Sequence, residues 1–217
     1  DSIYNGAMDN ATGIGVMLEV ARALQASKRR PKRSILFLAV TAEERGLLGS
    51  DYYAENPTVP RGAIVANVNM DMPVSIAPAA DFVAFGAEHS TLGPVAARAA
   101  RAEGYMLTPD PRPDEVVFVR SDQYSFVRRG IPSLYLDNGE RSTDPEADAK
   151  ALYEDFIRNR YHMPADDPQQ PIDYASLAGL ARVNVRVVLE VANARERPRW
   201  NDGDFFGTTY GRAGARP

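Results

Sequence analysis

Acidic side chains follow two apolar segments of the sequence. Glu43 and Glu44 follow residues 35–40 after a gap of two residues, and Asp71 follows residues 63–68 after a gap of two residues. In open α/β sheets, ligands bind beyond the carboxyl ends of the strands. Two adjacent carboxylates repel each other, which is tolerable when a cation holds one of them and the other moves a proton. A helix N-terminus enriched in glutamate is the alternative interpretation.

Two further groups extend this pattern. Asp9 lies on a short turn between two glycines, where it either offers a carboxylate to a ligand or caps the following helix. His162 lies in an irregular segment beside Tyr161, four residues before Asp166. An isolated histidine in a loop is usually a solvated imidazole. Each signal is weak alone, and their chemistry depends on whether the fold brings them together.

Hydrophobic patterning predicts an α/β fold that could bring these residues together. Residues 35–40 are apolar at every position and residues 63–68 at almost every position, which is typical of strands buried on both faces. The predicted strands cover residues 35–40, 63–68, 81–86, 116–119 and 131–136. The predicted helices cover residues 11–27, 46–56, 90–103, 122–129 and 173–195. The apolar face predicted for the first of them consists of Ile14, Met17, Leu18, Ala21 and Leu24. A mostly parallel sheet covered by helices is the economical arrangement.

The composition limits the available chemistry. The chain has 217 residues, a net charge of -4, no cysteine and two histidines, His89 and His162. Disulfides, thiol nucleophiles and thiolate zinc sites are therefore excluded, and any metal site must use carboxylates. The slightly acidic balance gives nucleic-acid binding little electrostatic support. No apolar run approaches the ~20 residues that span a bilayer, so we expect neither a nucleic-acid nor a membrane partner.

Taken together, the motifs resemble those of the M28 family of zinc-dependent aminopeptidases. They occur in the order typical of that family and extend over most of the chain. The matching stretches are GAMDNATG at 6–13, TAEERGLLGS at 41–50, NMDM at 69–72, FVRSD at 118–122, GIP at 130–132 and YHMPAD at 161–166. The resemblance implies a three-layer α/β/α domain of the zinc-exopeptidase (phosphorylase/hydrolase-like) type over residues 1–195. Residues 196–217 are expected to form an irregular tail.

The resemblance also implies a pair of zinc ions and a role for each matching residue. Asp9 would bridge both ions, Glu44 and His162 would complete the ligands of one, and Asp71 would bind the other. Glu43 would be the general base, because an unligated carboxylate close to a metal-activated water can take its proton. Tyr161 would direct its phenol at the developing oxyanion. For Asp122 and Asp166, a supporting or substrate-lining role and a simple place in an exposed loop are both open.

The sequence departs from the family pattern in one respect. The family has another zinc ligand, a histidine in a His-x-Asp motif ahead of the bridging aspartate, and this sequence contains no such motif. His89 does not match that position and is expected to be a solvated histidine at a helix cap. We therefore expect a truncated domain that lacks its first strands, one zinc site loaded and the other weak or empty, and self-association through an exposed sheet edge.

Three functions are consistent with these features. The first is hydrolysis of the N-terminal peptide bond of a substrate with a free N-terminus. The second is a single-zinc reaction like that of glutaminyl cyclases, which resemble this family. The third is a metal-free binding or dimerisation module, which the retained acidic residues and His162 argue against. The resemblance favours the aminopeptidase and a periplasmic or secreted location, while the ligand types would also accept cobalt or manganese.

Overall fold

The computed structural model describes residues 3–27 and 30–211, which contain helices and four short strands. The strands are β1 (Asn67–Asn69), β2 (Asp81–Phe85), β3 (Met106–Thr108) and β4 (Ser133–Asn138). The helices are α1 (Gly13–Ala26), α2 (Leu48–Glu55), α3 (Leu92–Ala102), α4 (Gln123–Val127), α5 (Ala149–Asn159), α6 (Tyr174–Asn193) and α7 (Phe205–Tyr210). Among these helices, none is both long and apolar enough to cross a membrane.

The four strands form one mixed sheet in the order β1-β4-β2-β3. β1 pairs with β4 in parallel, with Asn67 opposite Ser133, and β2 pairs with β3 in parallel. The central pair, β2 and β4, is antiparallel. Two of the three pairings are therefore parallel, as the sequence predicted. β1 and β3 are the two edges of this sheet.

Helices cover both faces of the sheet, because the side chains of the central strands alternate between two cores. Phe82 and Ala84 of β2 pack against α1, α3 and α6, while Val83 and Phe85 point to the opposite face. The second core also contains Phe118, Val127 of α4 and Phe206 of α7. Burying each large apolar side chain contributes about 1.5–3 kcal/mol, so both layers stabilise the sheet. The three-layer α/β/α arrangement predicted from the sequence is confirmed.

The strand predicted at residues 35–40 is wrong for this structure. In the described part of the chain, these residues belong to no strand and make no backbone hydrogen bond. Leu36 is 54% exposed and Phe37 is 39% exposed. An apolar segment such as residues 35–40 is buried only where another element of the fold packs against it.

The predicted apolar face of α1 is correct only in part: Leu24 packs against the core and Met17 and Ala21 are half-buried, but Ile14 and Leu18 are exposed. The fully buried residues are Val16 and Val20.

Other differences are smaller. Residues 116–119, predicted as a strand, contain the 3-10 turn Val117–Val119, and the first predicted helix begins two residues later, at Gly13. The strand predicted at 63–68 is only the short β1, and β3 and α5 were not predicted. The helix predicted from residue 173 is confirmed: Asp173 is the N-cap of α6, and its carboxylate accepts a hydrogen bond from the Ser176 amide at 2.6 Å.

The C-terminal segment, expected to be irregular, contains α7. Phe206 of this helix is buried, and the indole of Trp200 donates a hydrogen bond to the Gly130 carbonyl at 3.0 Å. His89 is not solvated as predicted: its ring stacks on Phe118, and its Nδ1 lies 2.7 Å from an oxygen of Asp204. Residues 212–217 of the predicted tail lie outside the described residues.

Candidate metal centre

The turn before α1 carries Asp9. Gly6 adopts a φ of 61°, and a Cβ there would lie 2.5 Å from the Asp9 carbonyl, so the turn requires glycine at this position. The carboxylate of Asp166 accepts hydrogen bonds from the backbone amides of Met8 at 2.8 Å and Asp9 at 3.0 Å. Asp166 is almost fully buried and therefore fixes the backbone that carries Asp9.

A second turn, residues 41–49, follows the unpaired segment and is called the Glu turn here. It contains the 3-10 turn Glu43–Arg45 between Ala42 and Gly46, both of which have positive φ. Its backbone hydrogen bonds are local, including those from the Leu48 amide to the Ala42 carbonyl and from the Gly49 amide to the Thr41 carbonyl. The short closed turn places Glu43 and Glu44 side by side at its apex.

Asp71 follows β1 at the end of the strand. One of its carboxylate oxygens accepts a hydrogen bond from the Ser121 hydroxyl at 2.6 Å. The Ser121 hydroxyl in turn accepts a hydrogen bond from the side-chain amide of Asn69 at 2.9 Å. This chain of bonds sets the orientation of the Asp71 carboxylate.

His162 lies between α5 and α6, in the left-handed region with a φ of 56°. Such a conformation is uncommon for a residue other than glycine and often marks a functional position. The ring of Tyr161 stacks on the His162 ring with their centroids 3.7 Å apart. Tyr161 also packs near Phe156, the buried residue of α5. The stacked pair fixes the direction of the imidazole.

Three of the predicted ligands converge at one point. His162 Nε2 lies 2.8 Å from Glu44 Oε1 and 3.2 Å from Asp9 Oδ2. One potential ligand atom of each residue lies within 4.8 Å of the other two, and no second such group of three occurs among the described residues. The side chains of Glu44 and His162 are 56% and 46% exposed, so the group is open to solvent.

The electrostatics of the site are those of crowded carboxylates. Burial, reinforced by the charges of Asp71 and Glu44, raises the pKa of Asp9 to about 7. The same causes in the same order raise the pKa of Glu43 to about 8. Burial also raises the pKa of Asp71, although the Ser121 hydrogen bond opposes this shift. A bound cation would reverse these shifts by favouring the charged carboxylates.

The remaining predicted residues lie around this group. Asp71 is outside the group of three, but its charge affects the pKa of both Asp9 and Glu43, so it faces the same site. Asp122 is half-buried, and its charge also raises the pKa of Glu43. Asp166 contacts the Asp9 backbone and not the group itself.

Sequence reasoning gave no role to three residues that contact these turns. They are Asn10, Ser121 and Tyr135, whose side chains bond the segment around Asp71. Asn10 and Ser121 lie inside the matching motifs, so their position was a usable signal. Tyr135 lies in the middle of β4, where nothing in the sequence distinguishes it from an ordinary core aromatic.

The donor set fits a zinc ion. Zinc binds imidazole nitrogen and carboxylate oxygen, and three protein ligands with an open position are typical of its catalytic sites. Asp9, Glu44 and His162 provide two carboxylates and one imidazole at a solvent-open point. The mutual approach of two carboxylates is electrostatically unfavourable without a cation between them.

Fold and site together define an α/β protein with a candidate metal centre at one rim of its sheet. The family follows from a direct comparison: the model of peptidase family M28 matches residues 1–188, and the chain belongs to that family. A probable zinc metalloprotease of Pyrenophora tritici-repentis (strain Pt-1C-BFP) is 26% identical over 228 residues, which cover 89% of this chain and 45% of that protein. Aminopeptidase NAALADL1 of Mus musculus is 38% identical over 79 residues, 34% of this chain and 11% of that protein.

Solved structures show the same fold. An aminopeptidase from Aneurinibacillus sp. strain AM-1 matches 93% of this chain and 45% of its own length, with a TM-score of 0.63 and 24% identity. A glutaminyl cyclase of Porphyromonas gingivalis matches 85% of this chain and 63% of its own length, with a TM-score of 0.56 and 23% identity. The chain spans less than half the length of the Pyrenophora protein and of the Aneurinibacillus aminopeptidase.

Proposed function

We propose that this chain carries the catalytic groups of a zinc-dependent aminopeptidase, which hydrolyses the N-terminal bond of a peptide with a free N-terminus. The observation that supports this best is the convergence of Asp9, Glu44 and His162, with Glu43 beside them on the Glu turn. Membership of peptidase family M28, and the similarity to a probable zinc metalloprotease and to an aminopeptidase, agree with a metallopeptidase.

Each catalytic residue has a separate task in this proposal. Glu43 is the general base: it takes a proton from the attacking water and passes it to the leaving amine. Its pKa of about 8 describes the protein without a cation, and a cation nearby would return the carboxylate to its charged, basic form. Tyr161 keeps its proton, because burial raises the pKa of its phenol well above the usual value. It can therefore donate a hydrogen bond to the developing oxyanion.

Asp9, Glu44 and His162 would hold the zinc ion, with Asp71 available to a second ion. A zinc ion supplies a polarising charge and lowers the pKa of a bound water to near 7. We propose that the first site is loaded and the second is weak or empty, because Asp71 lies outside the group of three. Asp122 and Asp166 are proposed as supporting residues, Asp122 through its charge near Glu43 and Asp166 through the Asp9 backbone.

Release of p-nitroaniline from a panel of amino-acid p-nitroanilides tests the function directly. We expect activity with zinc, loss of activity with a chelator, and a decrease in kcat of about 10²–10⁴-fold for Glu43→Gln, the range for removing a general base. His162→Ala should lower both activity and zinc affinity. Asn56→Ala, on the exposed end of α2, is a control that should change neither.

The outcomes separate the candidate functions. Cyclisation of glutaminyl peptides without hydrolysis would replace the aminopeptidase by a cyclase, and absence of zinc binding would favour a non-catalytic module. Zinc titration followed by elemental analysis tests occupancy, and two tightly bound ions for each chain would contradict the single-site proposal. We also propose a periplasmic or secreted location, which cell fractionation tests. The self-association expected through an exposed sheet edge is proposed instead through residues 35–40, which are partly exposed but form no strand.

A further inference from the structure

The segment that carries Asp71 is strained. Residues 71–74, called the Asp71 segment here, run from the end of β1 across the rim of the sheet. Met72, directly after Asp71, has a φ of 38°, which a side chain other than glycine rarely adopts. Such conformations persist where the surrounding structure holds the backbone at several points. The contacts that hold this segment therefore decide where the Asp71 carboxylate lies.

Two of these contacts come from one face of β4. Tyr135 and Asp137 are two residues apart, so their side chains point to the same side of the sheet. The Tyr135 hydroxyl donates a hydrogen bond to the Asp71 carbonyl at 2.7 Å. The Val74 amide donates a hydrogen bond to Asp137 Oδ1 at 3.2 Å. Tyr135 is 3% exposed and Asp137 is 4% exposed, so neither bond competes freely with water.

A third contact links this segment to the turn that carries Asp9. Asn10 Oδ1 accepts hydrogen bonds from the Met72 amide at 2.9 Å and from the Gly13 amide at 3.1 Å. The Asn10 side chain therefore joins the two loops, while β4 holds the Asp71 segment from the other side. The separation of Asp9 and Asp71 therefore depends on Asn10, which joins the two loops, and on Tyr135 and Asp137, which hold the Asp71 segment against β4.

We propose that Tyr135 and Asp137 are positioning residues that hold the Asp71 segment in its strained conformation, so that the Asp71 carboxylate faces the group formed by Asp9, Glu44 and His162. This inference rests on the proposed function for its catalytic meaning. The aromatic ring of Tyr135 packs on Phe85, which fixes the ring independently of the hydroxyl. The hydroxyl is therefore the part of Tyr135 that acts on Asp71.

Tyr135→Phe removes the hydroxyl and keeps the ring. Tyr105→Phe is the matched control, because Tyr105 is also packed on a phenylalanine, Phe82, and its hydroxyl lies near Gly179, in the other core. Because Asp71 would hold the second ion, we expect Tyr135→Phe to weaken binding of a second zinc ion by about 10-fold, in the range for residues that orient metal ligands, and to leave the affinity for the first ion unchanged. It should lower kcat more than it raises KM, and Tyr105→Phe should leave both quantities unchanged. Zinc affinity is measured by titration against a competing chelator.

Hydrogen exchange provides a readout that needs neither zinc nor activity. In the metal-free protein, Tyr135→Phe should speed exchange of the Met72 and Val74 amides by about 2- to 10-fold, the effect of losing one hydrogen bond. Asp137→Ala should do the same at Val74, while Asp137→Asn, which keeps an acceptor oxygen, should restore the wild-type rate. Tyr105→Phe should leave both amides unchanged.

The results distinguish this inference from the proposed function. Faster exchange at the two amides in a protein that binds no zinc would support the holding contacts and contradict the proposed function. Unchanged exchange and unchanged zinc affinity in Tyr135→Phe, in a protein that does hydrolyse p-nitroanilides, would overturn the inference alone.

Discussion

The Asp71 segment and the Glu turn both present carboxylates to the site, but they are held in different ways. The Asp71 segment is bonded by side chains distant in sequence, with Tyr135 lying 64 residues from Asp71 and Asn10 lying 62 residues from Met72. The Glu turn closes on itself through backbone bonds between its own residues. Glu44 is 56% exposed, whereas the Asp71 carboxylate is mostly buried.

This difference indicates how each half of the site responds to change. The Asp71 segment shares its contacts with the sheet and with the Asp9 turn, so disturbing it should affect the fold, the metal and the activity together. The Glu turn has few contacts outside itself, so disturbing it should affect the activity while leaving global stability almost unchanged.

Two glycine substitutions should distinguish the Asp71 segment from the Glu turn, and their effects on stability, zinc binding and activity should be the largest. A Cβ on Gly13 would lie 2.1 Å from Asn10 Oδ1 and 2.4 Å from the Met70 carbonyl. Gly13→Ala should therefore break the link between the loops, weaken zinc binding and lower the free energy of unfolding by about 1–3 kcal/mol. A Cβ on Gly49 would lie 2.2 Å from the Thr41 carbonyl, inside the Glu turn. Gly49→Ala should reduce activity with a smaller loss of stability.

Urea unfolding and zinc titration measure both effects. Gly15→Ala is the control, because a Cβ at this helical position meets nothing within 4 Å. It should be neutral or raise the free energy of unfolding by about 0.5–1 kcal/mol. Equal losses of stability in Gly13→Ala and Gly49→Ala would contradict the idea that the Asp71 segment is coupled to the fold more strongly than the Glu turn.

The Asp9 turn provides the next test, because Asp166 holds its backbone from a distant part of the chain. Asp166→Asn leaves one acceptor oxygen for the two amides of Met8 and Asp9, and should weaken zinc binding by about 10-fold. Asp173→Asn is the matched control, since it alters a carboxylate that caps α6 away from the site. Competition with a chelator measures the affinity. A similar loss of zinc affinity in both variants would show that the effect comes from general destabilisation.

These contrasts also explain which features the sequence could predict. The Asp173 cap depends on residues within one helical turn, so the local sequence predicts it, and the convergence expected for Asp9, Glu44 and His162 came from motif resemblance. The role of Tyr135 depends on a contact across the fold and had no local signal. The pairing of His89 with Asp204 joins residues 115 apart, so no local pattern signals it. The helix α5 did have a local signal that was missed, because its apolar residues recur at helical spacing, at positions 152, 153, 156 and 157.

The crowded carboxylates predict a pH dependence of stability. The pKa values of Asp9 and Asp137 are raised to about 7 and that of Glu43 to about 8, with burial the largest cause for each. Between these values and the ordinary carboxyl pKa near 4, the folded protein binds more protons than the unfolded chain. The stability of the metal-free protein should therefore fall as pH rises from about 4 to about 8.

Thermal unfolding in chelator at a series of pH values measures this dependence. Each kcal/mol of lost stability should lower Tm by about 2–4 °C in a chain of this size. Saturating zinc should flatten or reverse the trend, because the cation favours the charged carboxylates of the site. Glu43→Gln removes one proton-binding group and should reduce the slope in chelator. A Tm that rises with pH in chelator would contradict the raised pKa values of these three carboxyl groups.

Substitutions in residues 35–40, which lead into the Glu turn, should have the smallest effect on the site and the most direct effect on self-association. Residues 35–40 lead into this turn with exposed apolar side chains and, within the described residues, no backbone partner. An apolar backbone segment with free amide and carbonyl groups favours pairing between copies. Sedimentation velocity over a concentration series should therefore show a mass that increases with concentration.

Leu36→Lys should return the protein to a monomer, because a charge on this segment disfavours edge-to-edge pairing. Met106→Lys is the matched control: Met106 is 47% exposed on the edge strand β3, outside residues 35–40, and its replacement should leave association unchanged. Because the Glu turn closes through its own backbone, Leu36→Lys should leave the activity of each chain within about two-fold of wild type. Association lost equally in both variants would mean that general surface charge, and not residues 35–40, controls it.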